Sequence, residues 1–289
     1  MTDPLASLLT ALDLTDTGAR TDEDIFTGPS QWMPHGRVFG GQVLAQSLLA
    51  AVRTVADQRA LHSMHGYFLR PGNVELPITF SVDRIHDGRS FSTRRTQAYQ
   101  DGLPILSMIA SFQLEDGGLD HQIDMPADLP DPESLPTPAS LLAQMDHPVA
   151  KSWSSERPFD IRHVQSPVYI SVDGARVAQQ AVWMKSIGPL PDDRNLHRAA
   201  LAYASDYTIL EPVLRRHGVA WSTPGFKMAS LDHAMWWHRF GRVDDWLLFL
   251  TESPSANGGR GLSTGRIYRR DGVLIASVAQ EGMIRVPAL

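Results

Sequence analysis

The stretch GRVFGGQVLAQSLLAAVRTV (residues 36–55) passes from glycine-rich chain into an unbroken helical pattern, and its surroundings decide the fold. Val43, Leu44, Leu48 and Val52 give the helix an apolar stripe, while Gly40 and Gly41 permit close backbone approach where it begins. LHSMHGYFLRP, ELPITFSVDRIHDG, SFSTRRTQAYQDG and LPILSMIASFQ follow as extended segments, with turns at Asp87-Gly88 and Asp101-Gly102. A long helix followed by four strands predicts an α+β unit whose sheet covers the helix. Ahead of it, Leu5, Leu8, Leu9 and Leu12 mark a short amphipathic helix.

The same order returns about 170 residues later. A helix near 196–215 precedes KMASLDHAMWWHR, DDWLLFLTES, RGLSTGRIYRRDG and VLIASVAQEGMIR. At that offset Asp271-Gly272 falls on Asp101-Gly102, Ser277 on Ser107, Leu231 on Leu61 and Gly258 on Gly88, as an internal repeat would place them. Between the halves, prolines at 126, 130, 132, 136, 138, 148 and 158 forbid a long helix or central strand. The expected division is an N-terminal unit at 1–113, a proline-rich connector at 114–160 and a C-terminal unit at 161–289 carrying the catalytic residues. A short helix is expected around Ser140–Met145, and strands at VYISV and RVAQQAVWMKSI.

With 43% hydrophobic and 20% charged residues, the 289-residue chain can bury a large core. It has no cysteine, which removes disulfides, thiolate nucleophiles and Cys-based zinc sites. A formal net charge of −6 argues against non-specific nucleic-acid binding, although Arg70, Arg84, Arg89, Arg94 and Arg95 offer a local patch for an anionic ligand. No run approaches the roughly 18 apolar residues of a membrane span, and the N-terminus lacks a leader pattern, so a cytoplasmic location is expected.

Three polar residues in the last third interrupt apolar positions. Helical spacing puts Asp206 on one face with Ala199, Tyr203 and Leu210, pointing inward. Alternation through KMASLDHAMWWHR puts Ser230 beside Met228, Asp232, Ala234 and Trp236, with Asp232 and His233 facing opposite ways. Gln280 is the lone amide among Leu274, Ala276, Val278, Gly282 and Ile284, and Gly282 leaves room for backbone or ligand. Buried polar groups are costly without partners, so the three residues suggest one shared cluster. Ala60 and Ala110 occupy the positions of Ser230 and Gln280 in the first half, so fold maintenance alone does not require the polar pair.

Competing chemistries lack support. No GxSxG elbow accompanies Ser230, which favours a hydrogen-bonding hydroxyl over a nucleophile, and no GxGxxG or GxxxxGK[ST] is present. His62 and His65, three apart on a strand, point to opposite sides; with His35 and His233 they show no metal-ligand spacing, so no metal site is expected.

Taken together, VFGGQVLAQSL, HGYFLRPG, SFSTRRTQA, LAYASD, ASLDHAMWWHR, SANGGRG and DGVLIASVAQEG give a chain that resembles the acyl-CoA thioesterase II family. The resemblance implies a double hotdog, two units each with a long helix wrapped by an antiparallel sheet, and hydrolysis of fatty acyl-CoA without cofactor or metal. It implies that Asp206, Ser230 and Gln280 position the attacking water, with Asp206 as base and His62 shaping the pocket. Several relatives carry threonine where this chain has Ser230; without the β-methyl the hydroxyl rotamer is less fixed, which implies lower turnover. Gly41 and Gly282 are the further substrate-side positions, the former at a helix start whose N–H groups suit an oxyanion. A homo-oligomer is also implied. The alternatives are a non-catalytic acyl-CoA binding protein and a hotdog enoyl-CoA hydratase; the latter needs an Asp/His acid–base pair for which no comparable local pairing is found.

Overall fold

The computed structural model describes residues 3–19, 22–143 and 148–287. The chain opens with helix α1 (Pro4–Leu12), whose Leu5, Leu8 and Leu12 are buried, and two strands the sequence reading did not anticipate, β1 (Thr15–Asp16) and β2 (Asp24–Gly28). Helix α2 (Gly40–Val52) is buried around nearly its whole circumference. Strands β3 (Arg59–Phe68), β4 (Ile78–Asp87), β5 (Phe91–Gln100) and β6 (Leu103–Leu114) wrap it, as the alternating segments predict.

The connector supplies a 3₁₀ turn and helices α3 (Pro138–Leu142) and α4 (Pro148–Ser155). Helix α3 overlaps the expected Ser140–Met145, of which Gln144 and Met145 lie outside the described residues. The second unit is built from β7 (Phe159–His163), β8 (Gln179–Ser186), α5 (Arg194–Ser205), α6 (Glu211–His217), β9 (Lys227–Ser230), β10 (Asp232–Trp237), β11 (Leu247–Asn257), β12 (Arg260–Arg269) and β13 (Leu274–Arg285).

Two expectations are corrected here. The helix expected over 196–215 is two helices, because Pro212 lacks an N–H and its ring crowds the carbonyl four residues back, so the chain turns between 206 and 210. VYISV is not a strand. After Pro167 its carbonyls accept isolated bonds, Val168 from the Trp221 N–H (2.9 Å) and Tyr169 from the Ser222 N–H (3.1 Å), and buried Val168 packs with Leu214 and Val219.

Among the described residues one antiparallel sheet runs β1-β2-β4-β5-β6-β3-β10-β13-β12-β11-β8-β7, with β9 pairing to β13. The order is mirrored about the β3/β10 junction, which is how an internal repeat appears in space. At that junction Met64 and Met235 stand opposite each other, both buried, and a single apolar core joins the two units. The two central helices meet under the sheet: a β-carbon on Gly41 would overlap the Tyr203 carbonyl oxygen of α5 and lie 2.6 Å from the Phe39 ring. Phe39 stacks on Tyr207 (4.7 Å between ring centroids) and meets Tyr203 edge-on. The N-terminal end of α2 is thereby fixed against the C-terminal end of α5.

Gly41→Ala is expected to lower unfolding stability by about 1–3 kcal/mol, since the helices must separate to admit the methyl group. Urea denaturation measures this, and an unchanged midpoint would show that the contact yields.

Candidate active site

Asp206 caps the C-terminal end of α5 rather than lying mid-helix. Ser230 ends β9 opposite Gly282 of β13, and Gln280 lies two residues earlier on that strand. The Ser230 hydroxyl donates to Asp206 Oδ1 (3.3 Å), and Gln280 Nε2 donates to both Asp206 Oδ1 (3.0 Å) and Ser230 Oγ (2.8 Å). The three residues singled out by pattern thus form one mutually bonded group. Gln280 is buried, whereas Asp206 and Ser230 are half-buried and face a cavity of about 880 Å³ that all three line.

Burial pushes the Asp206 carboxyl up to about 6, because the charged form loses hydration. Donors from Gln280, Ser230 and the Gly41 backbone N–H pull it back and keep the carboxylate within reach of neutral pH. The end of α5 disfavours an anion and the start of α2 favours one; Gly40 makes the second approach possible, since a β-carbon there would sit 2.7 Å from Asp206 Oδ2.

His233 was missed as a site residue. Strict alternation through KMASLDHAMWWHR sets Asp232 on the Ser230 side, but the strand breaks at Leu231. The Leu231 N–H bonds to the Glu281 carbonyl (2.9 Å) and its own carbonyl accepts from Phe68 N–H (2.9 Å), shifting the facing by one residue. His233 therefore turns inward, fully buried, with Nδ1 on Gln280 Oε1 and Nε2 3.1 Å from Ser205 Oγ. Asp232 instead accepts from the Glu281 N–H (2.7 Å). A histidine three residues after the pattern-breaking Ser230 was the available signal, hidden by the assumption of an unbroken strand.

The cavity wall joins both units and the connector. Exposed His35, Arg37 and Arg70 line one part, and Leu142, Trp153, Tyr169, Leu210, Trp221 and Met228 make another part apolar. Of the arginines named from sequence, Arg70 lines the cavity. Arg94 is buried and bonded to Asp87 and Thr54, while Arg84 and Arg95 pair with Asp24 and Asp83. Arg94 is a structural tie and unavailable to ligand.

Gly41 and Gly282 meet the cavity only indirectly: one gives its N–H to Asp206, and the other makes room for Leu210, which a β-carbon would overlap. His62 does not reach the cavity; a bulge between Leu61 and Ser63 leaves it against Ser111 Oγ (2.9 Å) and the Phe91 ring. Among the described residues, no three His, Asp or Glu side chains gather as a metal-holding group, and no helix is long and apolar enough to cross a membrane.

The family model described as acyl-CoA thioesterase matches residues 153–283, and that described as the acyl-CoA thioesterase N-terminal domain matches 28–113. The chain is 37% identical to acyl-CoA thioesterase 2 of Haemophilus influenzae, an alignment spanning 99% of each chain. It is 39% identical to acyl-coenzyme A thioesterase 8 of Homo sapiens over 92% of this chain and 86% of that one. The chain belongs to the acyl-CoA thioesterase family. A solved acyl-CoA thioesterase II, TesB2, from Mycobacterium marinum superimposes with a TM-score of 0.77 at 39% identity over 98% of both chains. A tesB protein from Mycobacterium avium subs paratuberculosis gives 0.79 at 32% identity, over 98% of this chain and 100% of that one. A hot dog fold protein from Alicyclobacillus acidocaldarius, 19% identical with a TM-score of 0.79, agrees in fold over 98% of this chain and 99% of that one. This thioesterase is a double hotdog, as the repeat implied.

Because folding raises the Asp206 value from 3.8 to about 6, its contribution to stability is full below about pH 4 and is lost as pH rises through about 6. The parent thioesterase is expected to lose stability relative to Asp206→Asn across that window and to run parallel to it above. Denaturation midpoints at pH 4 to 8 check this; a constant difference would mean that folding leaves the carboxyl unshifted.

Proposed function

We propose that the thioesterase hydrolyses fatty acyl-CoA by direct attack of water, with the reacting atoms held at Asp206, Ser230 and Gln280. The observation behind this reading is the shared hydrogen bonding of the three side chains at a cavity that offers both cationic and apolar walls. Water gives its proton to the Asp206 carboxylate as its oxygen adds to the thioester carbonyl carbon. Ser230 offers that water its remaining lone pair, and Gln280 fixes the carboxylate and the hydroxyl that orient it. Gly40, at the start of α2, lines the cavity, and we assign its N–H to the developing oxyanion, the Gly41 N–H being held by Asp206. Collapse breaks the carbon–sulfur bond, and the carboxyl near 6 returns its proton to a leaving thiolate whose ordinary value is about 8.5.

The acyl chain is assigned to the wall of Leu210, Met228, Trp153 and Trp221, and the coenzyme A phosphates to the rim of His35, Arg37 and Arg70. We further propose the division 1–113, 114–160 and 161–289, a cytoplasmic setting, no nucleic-acid partner, and a homo-oligomer. The support for assembly is an exposed patch on the outer sheet face, Tyr67, Ile109 and Trp236, with His65 packed edge-on against Trp236.

Free-thiol detection over an acyl-CoA panel tests the reading. Release of thiol from medium- or long-chain substrates is expected, with kcat/KM rising with pH through about 6. Asp206→Asn is expected to cut turnover by at least about 100-fold with the fold retained. Saturable binding without thiol release, hydration of an unsaturated acyl-CoA in its place, or equal rates in the two proteins would contradict it.

A further inference from the structure

The Gln280 amide has a fixed direction whose cause lies one residue beyond the reacting group. Both of its N–H donors are engaged, on Asp206 Oδ1 (3.0 Å) and Ser230 Oγ (2.8 Å), which leaves Oε1 on the far side at a residue 1% exposed. A carbonyl so placed needs a donor. His233 Nδ1 is that donor. Burial holds the imidazole down at about 4, so near neutral pH it carries one ring proton, and only the Nδ1–H tautomer suits Gln280 Oε1. Nε2 is then an acceptor facing Ser205 Oγ (3.1 Å), whose one proton is shared between Nε2 and the Ala202 carbonyl (2.8 Å).

Reversing the Gln280 amide would set its oxygen against the Asp206 carboxylate and its NH₂ against the His233 N–H, losing the bonds to Asp206 and His233. Ser205 and Asp206 are consecutive at the end of α5, so the bonds form a closed ring: Asp206 to Gln280, to His233, to Ser205, and back along the chain. In the first unit, the offset of about 170 residues puts Ser63 and Ala110 where His233 and Gln280 stand, so histidine and glutamine occur together only in the unit with Asp206.

We propose that His233 is a positioning residue that locks the Gln280 amide so that its donors face Asp206 and Ser230, without touching substrate. This deepens the reading that these three side chains form the reacting centre, and rests on it. His233 is absent from the cavity lining, and its bond to a side chain of the reacting group is the one to Gln280.

In His233→Leu, kcat is expected to fall about 10- to 100-fold, the size of one buried hydrogen-bonded contact, while KM changes less than about two-fold. The ascending limb of the pH profile should move above about 6, because Gln280 is the strongest donor lowering the Asp206 value. His233→Asn, whose amide can still donate, should recover part of kcat. In a Gln280→Ala background, His233→Leu should change nothing further. An unchanged kcat and pH limb, or a loss that multiplies with that of Gln280→Ala, would overturn the proposal.

A second measurement needs neither substrate nor a folded variant. In the parent protein labelled with ¹⁵N-histidine, the His233 ring is expected to be neutral and protonated at Nδ1, and an Nε2-protonated or cationic ring at neutral pH overturns the lock. Absence of thiol release by the parent would instead count against the hydrolase reading, so the two failures are separable.

Discussion

The site depends on keeping a carboxylate ionisable where burial resists its charge. Asp206 sits at the end of α5, where helix carbonyls already disfavour an anion, and its value stands raised to about 6. What prevents a further rise is a set of donors from elsewhere: Gln280 from β13, Ser230 from β9 and the Gly41 N–H from α2. Each needs a particular close approach. Gly41 exists as glycine because Tyr203 leaves no room for a β-carbon, and Gly282 because Leu210 leaves none beside Ser230. The packing of the central helices and the electrostatics of the site are therefore the same constraint seen from two sides.

The mirrored sheet makes two similar units, but the side chains of the polar cluster are unevenly divided. The second unit supplies Asp206, Ser230, Gln280 and the buried His233; the first supplies the α2 start and the Arg37 and Arg70 rim. Phe68 also donates its N–H to the Leu231 carbonyl, helping to hold the strand break that turns His233 inward. Neither unit alone forms the site. A repeat whose halves were free to diverge accounts for polar residues facing alanines at equivalent positions.

Asp206, Ser230 and Gln280 were legible in the sequence because each breaks an apolar pattern, and a buried polar group advertises its need for partners. The four strands after α2, and the long strands of the second unit, were legible from alternation and Asp-Gly turns. Where prediction failed, a single residue changed the geometry. Pro212 split the expected helix, Leu231 reversed the facing of everything after it, and the bulge after Leu61 kept His62 away from the cavity. Arg94 read as a ligand arginine because its partners Asp87 and Thr54 come from separate elements, invisible to local pattern. Each failure traces to a contact or irregularity that periodicity does not encode.

In the proposed mechanism the polar group activates a water and forms no covalent acyl-enzyme. Turnover of an acyl-CoA in H₂¹⁸O, followed by mass analysis of the peptide containing Asp206 and of the product, tests it most directly. The account predicts ¹⁸O in the fatty acid from the first turnover, none in the Asp206 side chain, and no hydroxylamine-trapped adduct on that residue. Label in the Asp206 carboxylate, with unlabelled product in the first turnover, would contradict it.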